Sequence, residues 1–181
     1  PHYLVNDPKR NTFKKEILRS EFKIPDKCFV YSSFNNNYKI NPTFFKMWMK
    51  ILESVDNSYL LIYFENNWAK ENLRKEAKKN NIDLSRIIFI GRVAREEYFA
   101  RLKLADLCLD TSPYNGATTS SDALWIGLPV LTCIGKTFSS RICASILNAV
   151  DLSEMICNSE AEYVDMAIEL GRNKEKYLKL K

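Results

Sequence analysis

The sequence predicts an α/β domain built on a doubly wound, Rossmann-like parallel sheet. Short runs rich in Val, Ile and Leu alternate with helical patterns along the whole chain. The strand-like runs are continuously apolar, which is typical of parallel strands covered by helices on both faces. The length of 181 residues suits one domain with its own core.

Five strands are predicted at residues 28–33, 58–64, 86–91, 106–110 and 129–134, and a short sixth strand at 155–157. The first predicted helix runs to Val55, with Asn41 as its cap and Pro42 at its first position. Further helices are predicted at 68–79, at 95–103, up to Trp125, and at 139–150. Ser159 and Glu162 form a predicted capping box for a last long helix. Residues 1–21 are polar and are interpreted as a linker or the edge of the domain, which spans 22–181.

Composition limits the partners and the compartment. Hydrophobic residues make up 46% and charged residues 27%, as in soluble globular proteins. No apolar run approaches the roughly 20 residues that span a bilayer, so no membrane partner is predicted. Five scattered cysteines without a CxxC spacing, and no leader, favour a reducing compartment, the cytoplasm. The chain opens on Pro1 rather than Met, so we expect a piece of a longer protein.

The net charge of +5 raises the possibility of nucleic-acid binding. Much of the positive charge lies in residues 70–81 and 172–181, where acids are interleaved at helical spacing. That pattern is typical of solvated helix faces, and no basic stripe with regular aromatic residues appears. We therefore predict no nucleic-acid partner.

Ligands of doubly wound sheets bind at the carboxyl ends of the strands, so three loops are candidates: 34–42, 111–122 and 135–141. The hydroxyls from Thr118 onward, directly after Gly116, either cap a helix or form an anion seat. Lys39 beside that helix start predicts a diphosphate site without a metal. Asp122, one turn after Thr118, suits the hydroxyls of a sugar.

Simpler interpretations stay open for several of these residues. Lys39 also fits a surface lysine, Asp122 fits an acid that complements the helix dipole, and the asparagines at 35–37 fit turn formers. Asp106 and Asp110 are interpreted as the ends of a strand.

Other chemistries are disfavoured. The "GKT" at 135–137 lacks the glycine of a P-loop, because Val130 stands five residues earlier. No G-x-G-x-x-G and no D-x-D appears, and His2 is the only histidine, so the commonest acid–base catalyst is missing.

The combination of "LADLCLDT", "NGATTSSDALW" and "SRICAS", together with "VYSSFNNNYKINP", resembles the carboxyl-terminal part of the O-GlcNAc transferase family. That family includes the nucleocytoplasmic protein O-GlcNAc transferases, the plant SPINDLY O-fucosyltransferases and bacterial relatives with tetratricopeptide repeats. The resemblance runs from about Phe22 to the end of the chain. It implies the second, nucleotide-sugar-binding half of a GT-B glycosyltransferase.

The resemblance also implies roles for single residues. Lys39 would stabilise the leaving diphosphate, with Asn36 nearby. The other substrate-binding positions would contact the phosphates (Gly116, Thr118, Thr119), the ribose (Asp122) and the base (Ala94 through its backbone, with Arg95 and Arg101). The donor would be a UDP-sugar, with no metal or other cofactor, and the acceptor protein would bind through the missing N-terminal half. Inverting transfer to Ser or Thr follows, and the isolated segment is expected to bind UDP but to be inactive.

Two departures leave the sugar open. Ala117 and Tyr98 stand where the animal enzymes have histidines. GlcNAc is the first choice, with UDP-glucose and GDP-fucose as alternative donors. A non-catalytic, nucleotide-sugar-binding regulatory module is the other alternative. We also expect an exposed apolar patch where the other half docks, with residues 145–150 and Trp125 as contributors.

Overall fold

Six strands form one sheet, and every pair of neighbours in it is parallel. The computed structural model describes residues 16–180. The strands are β1 (Phe29–Ser33), β2 (Ser58–Tyr63), β3 (Ile87–Ile90), β4 (Leu107–Leu109), β5 (Val130–Cys133) and β6 (Ile156–Cys157). Their order is β3-β2-β1-β4-β5-β6. The chain builds outward from β1, returns beside it at β4 and builds outward on the other side, so the predicted doubly wound sheet is confirmed.

Seven α-helices accompany the strands in the described part of the chain. They are α1 (Pro42–Ser54), α2 (Asn67–Lys79), α3 (Arg95–Leu102), α4 (Thr118–Trp125), α5 (Ile142–Ala149), α6 (Glu160–Arg172) and α7 (Lys174–Leu178). Because crossovers between parallel strands are right-handed and the sheet extends both ways from its centre, helices cover both faces. Helix α1 packs against α6, and α4 packs against α5.

Side-chain caps fix where several helices begin. The Asn41 side chain accepts a hydrogen bond from the Phe44 N–H at 2.9 Å, and Pro42 follows at the first helical position, as predicted. Ser159 caps α6 by accepting from the Glu162 N–H at 3.1 Å. The Glu162 carboxylate, however, accepts from the Asn158 N–H at 2.7 Å. The predicted capping box is therefore present in its serine half, and its acidic half reaches one residue further back.

Two predicted helices differ from the observed ones. Helix α5 begins at Ile142, three residues later than predicted, because the Ser140 hydroxyl bonds to both backbone groups of Thr137 and closes a turn there. The last helix is divided at Asn173, whose side chain accepts from the Lys176 N–H at 3.0 Å and starts α7. Ser and Asn compete with the helix for backbone bonds, which is the physical reason for both differences.

The core continues directly into the carboxyl end of β4. Trp48 and Tyr163 are fully buried, and the Trp48 Nε1–H donates to the Tyr163 hydroxyl at 3.2 Å. That hydroxyl donates in turn to the Asp110 backbone carbonyl at 3.0 Å. The five cysteines are buried free thiols, and such side chains pack like small apolar residues.

The amino-terminal ends of the central strands β1 and β4 are bonded to the first described residues. The Arg19 guanidinium donates to Asp106 Oδ2 at 2.8 Å and to the Cys28 carbonyl at 3.1 Å. Asp106 also accepts from the Val30 N–H at 2.8 Å. Asp106 thus lies directly before β4, at the end of the strand as predicted, while the boundary after residue 21 stays a prediction. Within the described part, no helix has the length and apolar character needed to cross a membrane.

Candidate functional site

The candidate site is the crevice between the loops that follow β1 and β4. These strands are neighbours at the centre of the sheet, and the strand order reverses between them. At such a switch point the two loops diverge toward opposite faces and leave a crevice beyond the strand ends. The loop after β1 leads through a 3-10 turn at Asn37–Lys39 into α1, and the loop after β4 leads into α4.

Lys39 crosses this crevice. Its Nζ donates to the Asn115 carbonyl at 2.9 Å and lies 4.2 Å from the centre of the Tyr114 ring. Burial lowers the pKa of the Lys39 ammonium below its usual value, and the negative charge of Asp110 offsets only part of this change. The structure therefore brings Lys39 onto the loop that precedes α4, as the diphosphate hypothesis requires.

Helix α4 begins without a side-chain cap. Its N-cap residue is Ala117, which offers no hydrogen-bonding side chain. Thr118 is exposed, whereas Ser120 and Ser121 are buried. The hydroxyls after Gly116 therefore do not serve as the cap, and the positive end of the helix dipole faces the crevice.

Gly116 is confined by its neighbours. A Cβ at this position would lie 2.6 Å from Thr119 Oγ1 and 3.1 Å from Asn35 Oδ1, and closer still to the Ser120 hydroxyl. A glycine is needed here because the loop passes tightly over the first turn of α4.

Asp110 is the centre of the loop after β4, a role that its interpretation as a strand end missed. Its side chain is fully buried and accepts from the Gly116 N–H at 2.6 Å and from the Thr132 hydroxyl at 2.7 Å. Burial raises the pKa of the Asp110 carboxyl to about 6, although these hydrogen bonds lower it. The carboxylate fixes the turn that leads into α4.

Asn35 joins the two loops, and its interpretation as a turn former is too narrow. Its Nδ2 donates to Asp110 Oδ1 at 3.2 Å and to Thr111 Oγ1 at 3.1 Å. Its Oδ1 accepts from the Thr119 hydroxyl at 2.6 Å. Asn35 is only 2% exposed, and a polar side chain buried in a loop needs hydrogen-bond partners such as these.

A cavity of about 400 Å³ adjoins the first turn of α4. It brings together four of the predicted substrate-binding residues: Arg95, Arg101, Thr119 and Asp122. Tyr63 at the end of β2, and Ile90 and Gly91 at the end of β3, also line this cavity. Ala94 is the exposed N-cap of α3, the helix that carries both arginines.

Neighbouring side chains restrain two of the predicted residues. The Arg101 guanidinium donates to Glu97 Oε1 at 2.6 Å and lies 5.4 Å from the Phe22 ring. The Asn36 amide donates to Glu65 Oε2 at 2.6 Å, in the loop after β2. The Asn36 carbonyl accepts from the Lys39 N–H at 3.0 Å, and the place of the Asn36 side chain near the diphosphate stays a prediction.

The third candidate loop, at residues 135–141, supports the second. The Asn115 N–H donates to the Ser139 carbonyl at 3.0 Å, and the Ser139 hydroxyl donates to the Pro113 carbonyl at 3.2 Å. Among residues 16–180, no three His, Cys, Asp or Glu side chains cluster as metal ligands. The crevice thus offers a cation and a helix N-terminus beside a cavity of nucleoside size, which is chemistry for an anionic ligand with a ring.

Fold and crevice together define a doubly wound domain with a lysine and a helix N-terminus at its switch point. The chain belongs to Glycosyl transferase family 41, whose model matches residues 11–181. This confirms the resemblance to the O-GlcNAc transferases.

Two relatives show how much of a longer protein the chain represents. It is 39% identical over 153 residues to a UDP-N-acetylglucosamine–peptide N-acetylglucosaminyltransferase of Caenorhabditis elegans, covering 84% of this chain and 13% of that protein. It is 34% identical over 185 residues to the Arabidopsis thaliana protein named "Probable UDP-N-acetylglucosamine--peptide N-acetylglucosaminyltransferase SEC", covering 97% of this chain and 19% of that one. The chain therefore spans less than a fifth of these relatives.

Solved structures agree on the fold. An O-GlcNAc transferase variant of Thermobaculum terrenum superimposes with a TM-score of 0.81 at 29% identity, covering 86% of this chain and 30% of that one. A UDP-GlcNAc 2-epimerase of Neisseria meningitidis reaches a TM-score of 0.65 at 11% identity and shares the fold alone. The expected Rossmann-like half of a GT-B glycosyltransferase is confirmed.

Proposed function

We propose that this chain is the donor-binding part of an inverting, metal-independent glycosyltransferase that moves GlcNAc from UDP-GlcNAc to Ser or Thr of proteins. The observation that carries the proposal is the hydrogen bond from Lys39 to the Asn115 carbonyl. It places a cation on the loop that leads into the N-terminus of α4, and the first turn of that helix lines the adjoining cavity. A nucleoside diphosphate has the matching charge and shape.

The parts of UDP are assigned by chemistry. Phosphate oxygens are charged acceptors and bind an ammonium more strongly than a carbonyl does, so the diphosphate takes over Lys39 from Asn115. The backbone N–H groups at Thr118 and Thr119 face the same anion. The nucleoside enters the cavity, where the Asp122 carboxylate accepts from the ribose hydroxyls. Arg95 and Arg101 flank the base, and the Ala94 backbone meets its edge.

Catalysis in this proposal is electrostatic. Negative charge builds on the diphosphate as it leaves, and Lys39 and the α4 dipole stabilise that charge without a metal. Loss of one such preorganised donor typically raises the barrier by about 3 kcal/mol. The acceptor hydroxyl attacks the anomeric carbon from the opposite face and inverts it. The acceptor protein binds to the upstream half, so the isolated chain binds UDP and transfers nothing.

The same proposal extends to the whole protein. Its upstream part carries tetratricopeptide repeats and the other GT-B half, and it works in the cytoplasm. The similarity to named N-acetylglucosaminyltransferases supports UDP-GlcNAc as the donor. Titration with UDP-GlcNAc, UDP-glucose and GDP-fucose tests this choice, and tighter binding of GDP-fucose would overturn it.

Calorimetric titration with UDP tests the site. We expect Lys39→Ala to weaken UDP binding at least about tenfold, because a charge-assisted contact contributes about 1.5–3 kcal/mol. Lys50→Ala removes an exposed lysine of α1 and serves as the matched control with unchanged affinity. Equal affinity in the wild type and Lys39→Ala would remove the site assignment.

A transfer assay tests the enzyme. The chain joined to its native upstream sequence is expected to transfer labelled sugar to protein, and Lys39→Ala in that protein to abolish transfer. UDP binding without transfer would favour the regulatory module instead, for which Ala117 and Tyr98, in place of histidines, give a reason.

A further inference from the structure

We propose that Asn35 and Asp110 are positioning residues for the diphosphate site, and that the Thr119 hydroxyl serves Asn35 rather than the diphosphate. The inference rests on the proposed function, since it assigns the inner support of the same site. It follows from the direction in which each hydrogen bond must run.

The direction is set at Asp110. An ionised carboxylate can only accept, so the groups around it must donate. Its Oδ1 lies 3.2 Å from the Asn35 amide nitrogen and 2.6 Å from the Gly116 nitrogen, and its Oδ2 lies 2.7 Å from the Thr132 hydroxyl. Asn35 must therefore present its NH₂ group to Asp110.

Thr111 fixes the same orientation independently. Its hydroxyl donates its single proton to the Tyr114 carbonyl at 2.7 Å, so toward Asn35 it can only accept. With its NH₂ group directed at Asp110 and Thr111, Asn35 turns its carbonyl oxygen to Thr119. The orientation of the Asn35 amide is thus determined twice.

Thr119 completes the sequence of bonds. Its hydroxyl lies 2.6 Å from Asn35 Oδ1, which only accepts, so the hydroxyl proton belongs to that bond. A phosphate oxygen at neutral pH also accepts and needs a proton that Thr119 no longer has. The Thr119 backbone N–H and the exposed Thr118 remain for the diphosphate.

The bridge has a mechanical consequence for the crevice. Asn35 belongs to the loop after β1, which carries Lys39, and Thr119 lies in the first turn of α4. The bond between them, 84 residues apart in sequence, fixes the helix N-terminus relative to Lys39 before any ligand arrives. Donors that are already in place need no reordering when the ligand binds.

A double-mutant cycle on UDP affinity tests the inference, with Asn35→Ala, Thr119→Val and the double variant. We expect each single change to weaken UDP binding about five- to tenfold, and the double variant to be no weaker than the worse single one. Multiplying losses would mean that the Thr119 hydroxyl contacts the ligand itself and would overturn the inference. Thr119→Ser keeps the hydroxyl and is expected to retain more affinity than Thr119→Val.

Asp110→Asn provides a second test of UDP affinity. If Thr119 contacted the diphosphate directly and Asn35 had no positioning role, this substitution would leave the affinity unchanged. It keeps the size of the side chain and removes the acceptor-only character that orients Asn35, so UDP affinity is expected to fall about fivefold. Asp106→Asn, at the other end of β4, is the matched control with unchanged affinity in the folded protein. Unchanged affinity in Asp110→Asn contradicts the inference.

A ligand-free measurement separates this inference from the proposed function. Failure of the wild type to bind UDP overturns the proposed function alone. The amide NMR resonances of Gly116 and Thr118 are then decisive. They are expected to shift in Asn35→Ala and Asp110→Asn and to stay in place in Asp106→Asn. Unchanged resonances in the first two variants would overturn the positioning role.

Discussion

Asp110 carries its charge inside the domain at a cost in free energy. Burial raises the pKa of its carboxyl from 3.8 to about 6. The folded chain therefore holds this proton more tightly than the unfolded chain does. Protonated Asp110 therefore adds to the free energy of unfolding. This contribution is fully present below about pH 4 and is lost as the pH rises through 6. This difference in proton affinity corresponds to about 3 kcal/mol.

Urea unfolding at several pH values measures that cost. Between pH 4.5 and pH 7.5 we expect the unfolding free energy of the wild type to fall relative to that of Asp110→Asn by about 2 kcal/mol, because the variant has no carboxyl to ionise. Parallel curves for the two proteins would show that Asp110 titrates normally. A buried charge that lowers stability is typical of a functional position.

Gly116→Ala tests the tight passage of the loop over α4. The new Cβ would lie 2.6 Å from Thr119 Oγ1, so the loop must move and UDP affinity is expected to fall about tenfold. Gly171→Ala is the matched control, because its Cβ would meet the Tyr31 hydroxyl far from the crevice. We expect the control to unfold more easily, as thermal melting would show, and to keep its UDP affinity. An affinity loss in both variants would indicate a general effect of stability.

The residues of the site were predictable to different degrees. Lys39 stands out in the sequence because it lies two residues before a helix cap, and the hydroxyls at 118–121 stand out because one cap needs only one of them. Asn35 and Asp110 do not, since their meaning comes from bonds that span 75 residues. A polar residue directly after an apolar strand, at the predicted switch point, was the available signal for Asp110. The bond from Asn36 to Glu65 had no local signal.

At the scale of elements, Asn41 links a helix start to the candidate site. Its Oδ1 caps α1, and its Nδ2 donates to the Ser112 carbonyl at 2.6 Å, in the loop after β4. Asn66 caps α2 in the same way, with 2.8 Å to the Ala69 nitrogen, in an exposed position. The two caps differ in the additional hydrogen bond from Asn41 to the Ser112 carbonyl.

We expect Asn66→Ala to lower the unfolding free energy by about 1 kcal/mol, the usual loss for a cap. Asn41→Ala is expected to lower it by about 2 kcal/mol, because it also leaves the Ser112 carbonyl without its donor. Chemical denaturation of both variants measures the difference. Equal losses would show that the bond to Ser112 contributes nothing to stability.

The order of strands and helices was predictable because continuous apolar runs and helical periodicity are local signals. The ends of elements were less so. Three polar residues before α5 belong to a turn closed by Ser140, and Asn173 divides the last helix, since side chains there bond to the backbone. Such bonds depend on geometry rather than on hydrophobic pattern.

For the molecule as a whole, Arg19 ties residues before the predicted boundary to the domain. Besides Asp106, its guanidinium donates to the carbonyls of Leu104 and Cys28. We expect Arg19→Ala to lower the unfolding free energy by about 2–3 kcal/mol, because Asp106 would keep a partly buried charge without its partner. Denaturant unfolding measures this, with Lys23→Ala as an exposed control near the same turn. A loss below about 0.5 kcal/mol would favour a boundary after residue 21.

The surface carries exposed apolar side chains on the part of the chain where docking was expected. Trp125 is 41% exposed and Val150 is 48% exposed, whereas Ile146 and Leu147 are buried. Only part of the predicted segment 145–150 therefore faces outward. That the other GT-B half covers this surface stays a prediction.

The two walls of the crevice are neighbours in the sheet but come from segments that lie far apart along the chain. Lys39 and Asn115 are 76 residues apart, and β1 joins β4 only after β2, β3 and their helices have been passed. Contacts between distant segments form slowly, since a long loop must close first. Nucleotide binding at the proposed site would then arise late during refolding, after the neighbouring parallel strands β1 and β2 have already paired. A nucleotide added to refolding chains would report completed assembly rather than collapse.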